Sequence, residues 1–227
     1  MIKEESMKKF FVNILCAFIP SRFVRDRLRI IFSDNQIFIT DEKEERKLGL
    51  FDLKNFKIGF CGKHTKNNTI KIHKNAVITG KITLIGNNSE IYIGKNVHGK
   101  YIIVTGDDSK IIISDGCYSN GLNIYSFLPS ELIIGKDCLF SWDVNIFSHD
   151  GHNVWDKKTN KLLNPKSSLK IGSHCWVGYG CVITKNASLP DNTIVGAGSV
   201  VSKKFEKEYT AIGGNPAKII KENIKWS

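Results

Sequence analysis

Six histidines and six cysteines are spread along the chain, and one stretch brings proton-exchanging groups together. In Ser148-His149-Asp150-Gly151-His152, two imidazoles flank a carboxylate. Imidazole titrates near neutrality, which suits it to activate a hydroxyl, a weak nucleophile at pH 7. Asp150 stands two residues from His152; in extended chain that spacing shares a face and could orient the imidazole or steady its cation. Gly151 between them fits equally well with a plain turn-forming Asp150. His149 reads as structural or as facing an acceptor. A zinc centre would need three converging histidines, and His149, His152 and His174 are available. The first two lie three residues apart in a glycine turn, which argues against it. Cys16, Cys61, Cys117, Cys138, Cys175 and Cys181 form no CxxC pair, so a zinc ribbon or thioredoxin-type site has no support. A disulfide framework does not suit a chain of 227 residues, and the cysteines point to a reducing, cytoplasmic compartment.

Trp155 and Trp176 offer flat faces of the kind on which sugars stack, and Trp176 serves equally to fill an interface. The net charge of +11, from 33 basic against 22 acidic side chains, favours a polyanionic partner. Nucleic acid, an anionic membrane face, an acidic glycan and a phosphorylated cofactor all qualify. Aromatics interleaved on a basic stripe, the mark of single-strand binding, are not evident, and nucleic acid is not expected.

A fixed spacing says what holds these groups. Ile171, Val177, Ile183, Leu189, Val195 and Val201 recur every six residues, as do Ile134, Phe140 and Ile146, and Ile72, Ile78 and Leu84. A six-residue period does not fit a helix; it fits short strands that turn, run along a second face and close a triangular coil after three steps. Coils stack at about 4.8 Å, pairing their backbone groups up and down the prism. Four residues after the aliphatic position come small or modest side chains, among them Cys117, Cys138, Cys175 and Cys181, which read as compact inward-facing hydrophobes. Earlier coils run long, with Ile72, Ile93, Ile113 and Ile134 spaced 21, 20 and 21 residues apart, so two or three extra residues are expected at one corner.

Between Ile146 and Ile171 the period breaks, and a loop is expected to protrude over about 149–168, polar and lysine-rich. Residues 51–204 read as the solenoid, residues 1–50 as a helical N-terminal cap, and residues 205–227 as a turn at GGNP followed by a short, basic C-terminal helix. The apolar run Phe10–Ile19 is shorter than the roughly 20 residues a bilayer span needs. Lys8 and Lys9 before it and a basic run after it suit a packed extension or an interfacial helix on anionic lipid.

In combination, DGH at 150–152, IGSHCWVG at 171–178, VGAGSVVSK at 195–203 and GGNPAKIIK at 213–221 resemble the hexapeptide-repeat acyltransferases, over about two-thirds of the chain. The branch resembled is that of sugar and polysaccharide O-acetyltransferases, alongside maltose and galactoside acetyltransferases. The resemblance implies an all-β, left-handed parallel β-helix, an exception to the usual right-handed crossover. It implies a homotrimer with sites between neighbouring prisms, acetyl-CoA as co-substrate, no metal, and a glycan or sugar acceptor. It makes His152 the general base toward the acceptor hydroxyl and then the acid toward the leaving thiolate. Gly178 and Tyr179 would line the thioester and pantetheine path, with Ala197 and Ser202 against the pantetheine arm. Lys203, Lys218 and Lys221 would lie near the nucleotide phosphates, the last two on one face of the tail helix. Trp176, Trp155 and Asn123 would touch the acceptor. Related enzymes often carry arginine in the tail; lysine is a point charge without the bidentate fork.

An N-acetyltransferase on an amino sugar keeps the fold, but such enzymes often carry an N-terminal nucleotide-binding domain, and no βαβ glycine-rich turn appears. A γ-type carbonic anhydrase meets the histidine spacing objection above. A non-enzymatic scaffold would use the basic face without needing the DGH loop. The function expected is acetyl-CoA-dependent O-acetylation of a bacterial surface glycan or its precursor, in the cytoplasm or at the inner membrane face.

Overall fold

Strands one hexapeptide long bury one row of side chains and leave the next in solvent, and the chain stacks them into about seven coils of a left-handed β-helix. The structure, a computed structural model, describes residues 2–49, 52, 57–62 and 64–227. Its first face is a parallel ladder of strands Asp34–Thr40, Lys66–His73, Glu90–Ile93, Ser109–Ile113, Ser130–Ile134, Ser167–Ile171 and Ser188–Leu189. Ile72, Ile93, Ile113, Ile134, Ile171 and Leu189 are successive register partners up this face, all buried. Each such aliphatic contributes about 1.5–3 kcal/mol by leaving water. Where the period is unbroken, three six-residue steps make one rung of this ladder, as from Ile171 to Leu189.

In the upper coils the second face (Leu139–Phe140, Trp176–Val177, Ile194–Val195) and the third (Val144–Phe147, Val182–Thr184, Val200–Val201) are separate short strands. In the lower coils they merge into single long strands, Val77–Leu84, His98–Thr105 and Tyr118–Ser126. Between the second and third faces these strands are shorter, four residues from Ile78 to Ile82 against six from Val177 to Ile183, so the extra residues of the 20- and 21-residue coils lie at the corner that follows, as over 85–89, while the bends within the strands need glycine. Gly80 has φ +123°, and a Cβ there would come within 1.9 Å of the Tyr101 carbonyl.

The four repeat cysteines face inward as the spacing requires. Cys117, Cys138, Cys175 and Cys181 are buried and unpaired, and their thiols donate to the carbonyls of Gly135, Gly172, Pro190 and Gly196 at 3.1–3.2 Å. Native protein is therefore expected to react at once with a thiol reagent at the exposed Cys61 and to leave these four unlabelled until it unfolds. Rapid native labelling of all four would overturn the inward packing.

The ends depart from expectation. The N-terminal segment is helical only through α1 (Ile2–Ala17) and α2 (Arg22–Ile31). Strand Asp34–Thr40 then already joins the parallel ladder, because the alternation in Asn35–Thr40 lets Ile37 and Ile39 extend the core. The solenoid thus starts inside the segment assigned to the cap; most of the residues around the 50/51 boundary lie outside those described. The C-terminal helix is not formed. Lys218–Glu222 is a strand, antiparallel to Thr210–Gly213, which itself pairs with Ile194–Val195. The open edge of the last coil presents unpaired backbone groups, and a hairpin satisfies them where a helix would not. Lys218 and Lys221 accordingly do not share a helix face.

Candidate active site

From Phe147 the chain leaves the third face and returns to the first at Ser167. Both ends of this excursion are pinned inside. The buried Ser148 hydroxyl lies 2.8 Å from that of Ser130, and the Ser167 hydroxyl donates to the Ser148 carbonyl. The outer part is a small hairpin, with Leu163 N–H donating to the Val154 carbonyl at 2.7 Å and Trp155 bridged to Leu162. Asp156 closes its turn by accepting from the N–H groups of Lys158 and Thr159 at 3.0 and 2.7 Å.

The DGH stretch is held between this hairpin and the coil. Gly151 N–H donates to His149 Nδ1 at 3.2 Å, which puts the neutral ring's proton on Nε2, 3.1 Å from the Asn164 carbonyl. His149 is buried with both nitrogens engaged, so it offers no free atom to an acceptor. Asn164, 6% exposed, donates through Nδ2 to Asp150 Oδ2 at 2.7 Å and to the His152 carbonyl at 2.8 Å; its Oδ1 accepts from Val154 N–H at 2.8 Å. Asp150 also accepts from the Lys185 ammonium. Burial alone would raise the Asp150 carboxyl, but Lys185 and Asn164 outweigh it and hold it below the usual carboxylate range. Beneath, Tyr125 stacks with Phe147 and Phe127 at centroid distances of 5.0 and 5.9 Å, and Phe127 packs toward Gly151.

His152 is exposed, and among the described residues no hydrogen bond engages its ring. Asp150 therefore acts on Lys185 and Asn164, with no bond to the His152 imidazole. If the carboxylate serves to fix the loop, Asp150→Ala and Lys185→Ala should lower turnover by similar factors, and the double variant by little more. A far larger loss for Asp150→Ala than for Lys185→Ala would instead give the carboxylate a part in the chemistry.

The remaining residues fall at the two ends of the third face. Ser202 directly follows Val200–Val201, which lies in register over Val182 and Ile183 at the DGH end, and Lys203 comes next, its carbonyl accepting from Ser188 N–H at 3.4 Å as the chain turns onto the first face. Gly178, Tyr179 and Ala197 lie at the opposite end, on the corner between the second and third faces. Coils approach closely there: a Cβ on Gly178 would fall 2.8 Å from the Ala197 nitrogen. Gly178 N–H is committed to the Val195 carbonyl at 2.8 Å. By contrast, among the described residues the N–H groups of the exposed Tyr179 and Ala197 have no backbone acceptor. The terminal hairpin crosses this corner, with Val200 N–H donating to the Gly214 carbonyl and Ala217 N–H to that of Val200 at 3.0 and 2.9 Å, which puts Lys218 beside it. Lys221 pairs with Ala211 further along the second face.

Trp176, 40% exposed, stands in the outward row of Tyr118, Leu139 and Ile194. Trp226 lies 6.2 Å from it, stacked on His174 at 4.3 Å, with its indole N–H donating to the His174 carbonyl at 2.9 Å. Trp155 is exposed on the loop hairpin, and Asn123, half-buried on the third face, donates to Asn145 Oδ1 at 3.1 Å. Asn164, Lys185 and Trp226 are the residues that sequence reasoning missed; the Asn-Pro pair at 164–165 reads only as a turn. Among the described residues His149, His152 and His174 do not gather into a group of metal ligands within the chain.

A coil of hexapeptide strands with a histidine-bearing loop and a glycine corner is the arrangement expected of the left-handed β-helix acyltransferases that the motifs resemble. No family model matches the chain. It is 30% identical over 184 residues to a polysialic acid O-acetyltransferase of Neisseria meningitidis, covering 70% of this chain and 86% of that protein. It is 31% identical over 158 residues to a polysialic acid O-acetyltransferase of Escherichia coli O1:K1, covering 70% of this chain but only 44% of that longer protein. The crystal structure of the polySia-specific acetyltransferase NeuO superposes with a TM-score of 0.67 at 26% identity, covering 86% of this chain and 85% of the other. The chain belongs to the family of these O-acetyltransferases, the branch its motifs resemble.

Proposed function

We propose that this protein transfers the acetyl group of acetyl-CoA to a hydroxyl of an anionic capsule glycan, with His152 as general base. The observation that carries the reading is the His152 ring itself, exposed at a loop whose backbone is clamped by Asn164 and the Asp150–Lys185 pair. A base held this way meets a substrate proton without first breaking an internal bond. The surplus of 11 positive charges suits an acidic acceptor, as do relatives that act on polysialic acid.

Acetyl-CoA supplies the activated acyl group. The glycine corner fits its approach, since the Tyr179 and Ala197 N–H groups are free to face an oxygen that gains charge. Lys218 beside that corner provides a cation for a phosphate, and Lys203 another at the DGH end. These two groups of residues occupy opposite ends of one face. A site built between neighbouring copies of a trimer would join the DGH end of one to the glycine corner of the next.

Purified protein incubated with acetyl-CoA and a panel of glycans should release free thiol with acidic polysaccharides and give an ester-labelled product. Thiol release with amino sugars alone, and an amide product, would overturn the O-acetyl reading. Light scattering should give about three times 25.6 kDa; a stable, active monomer would refute the shared site.

No helix among the described residues is long and apolar enough to cross a membrane. On α1 and just beyond it, however, Met7, Phe10, Phe11, Ile14, Leu15 and Phe18 are exposed. With the overall positive charge they support a peripheral, cytoplasmic-face contact with anionic lipid. Co-sedimentation with phosphatidylglycerol vesicles but not phosphatidylcholine vesicles is the expected result; equal failure with both would exclude it.

A further inference from the structure

The loop that carries His152 replaces a corner that the coils below it turn in three residues. There the chain passes from the third face to the first through 106–108, between Thr105 and Ser109, and through 127–129, between Ser126 and Ser130. One coil higher, residues 149–166 part Ser148 from Ser167. Serine or threonine thus stands at both ends of each corner. Up the ladders, Ser109, Ser130 and Ser167 lie one above the next, as do Thr105 and Ser126. Ser148 follows Phe147, the register partner of Tyr125, which puts it over Ser126. All six residues are 4% exposed or less, so water does not compete for their hydroxyls.

Four of these hydroxyls form a chain with a direction. A serine hydroxyl has one proton to donate. Ser109 gives its own to the Ser126 carbonyl at 3.1 Å and accepts that of Ser126 at 2.9 Å. Ser130, 2.6 Å from Ser126, must therefore be the donor there, and Ser148, 2.8 Å from Ser130, the donor at the next link. The chain thus ends on the residue that precedes His149, and each link polarises the next. The Ser148 proton has one alternative, the Tyr125 carbonyl at 3.4 Å. That separation must close by about 0.6 Å to reach an ordinary O–H···O length of about 2.8 Å.

We propose that Ser130 is a positioning residue for acetyl transfer, acting through Ser148 to fix where the His152 loop leaves the coil. The assignment rests on the reading of His152 as the base. Without the Ser130 oxygen, the Ser148 proton turns to the Tyr125 carbonyl and draws the root of the loop toward the third face. Removing the Ser109 oxygen has no such consequence. Ser126 then redirects its proton to Ser130, and the link between Ser130 and Ser148 survives in either direction. Ser109 and Ser130 are register partners with the same burial, yet only Ser130 holds the loop.

Hydrogen–deuterium exchange on the full chain, with kinetics on acetyl-CoA and a sialic acid oligomer, tests this; exchange decides alone where the acceptor is another glycan. Ser130→Ala should lower kcat about tenfold, against 10²-fold for a displacement of about 1 Å, with the KM for acetyl-CoA unchanged. The Val154 and Leu163 amides, bonded within the loop at 2.8 and 2.7 Å, should exchange faster by about tenfold. Ser109→Ala should alter neither, while its melting temperature falls as far as that of Ser130→Ala, since each loses a buried bond. Ser148→Ala cuts the same link from the loop side and should repeat the Ser130→Ala result, with the double variant no worse. It decides the matter where Ser130→Ala fails to fold. Equal losses of turnover and loop protection in Ser109→Ala and Ser130→Ala would reduce the chain to packing of the coil and overturn the proposal. So would unchanged exchange in Ser130→Ala, or a raised KM with kcat intact. Full turnover in His152→Ala would sink the base alone, and the exchange comparison would still decide whether Ser130 holds the loop.

Discussion

A His152→Ala enzyme is expected to fold and assemble as the wild type does and to transfer acetyl roughly 10²- to 10⁴-fold more slowly, the usual worth of a positioned general base. The folding half of this expectation rests on contacts. The His152 ring is exposed and, among the described residues, unbonded; the residue holds the loop only through its carbonyl, which Asn164 grips and alanine retains. The rate half rests on chemistry, since an acceptor hydroxyl must lose its proton as the new ester forms and no other unengaged imidazole lies on the DGH loop. His149→Ala should keep more activity, because both His149 nitrogens bond within the loop and the change displaces the base without deleting it. A correctly folded His152→Ala protein retaining a tenth or more of wild-type turnover would sink the assignment, and full loss in His149→Ala alone would move the role three residues upstream.

The coil was legible because its signal is local and repeated. In the upper coils one aliphatic every six residues fills each face in turn, and three such steps bring the chain over its register partner, as Ile171 and Leu189, Val177 and Val195, and Ile183 and Val201 show. The corner cysteines were legible for the same reason. The tail was not: AKIIKENIKW has helical amphipathicity, but the edge at Ile194–Val195 decided its state, and an edge is a non-local fact. Strand Asp34–Thr40 was absorbed into the cap because one coil stroke, seen once, has no period. At the site, His152 stood out by residue type and motif. Asn164 and Lys185 did not, since each matters through partners 12 to 35 residues away. Clamps of that kind leave no pattern in a single sequence; they exist only once the loop is folded back on the coil.

Asn164→Ala should accordingly be the most damaging change that touches no reacting group, lowering turnover by roughly 10²-fold, the effect of displacing a catalytic group by about 1 Å. Its side chain ties Asp150, the His152 carbonyl and Val154 N–H at 2.7–2.8 Å, while its own carbonyl accepts from His149. Alanine leaves those groups unpaired in a half-buried setting, and the loop relieves this by opening to water, taking His152 with it. The melting temperature should change little, because the stacked coils and their aliphatic rows do not involve this amide. The acid side of the pH profile carries a second signature. Asp150 is held below the ordinary carboxylate range, so its clamp is present above that range and is lost as pH falls through the depressed value. Losing Asn164 removes one of the two bonds that depress it, so the clamp should fail at a higher pH in the variant than in the wild type. Unchanged turnover in Asn164→Ala would mean that something else positions the loop. A collapse in melting temperature alongside the lost activity would place Asn164 in the core of the coil instead of at the clamp.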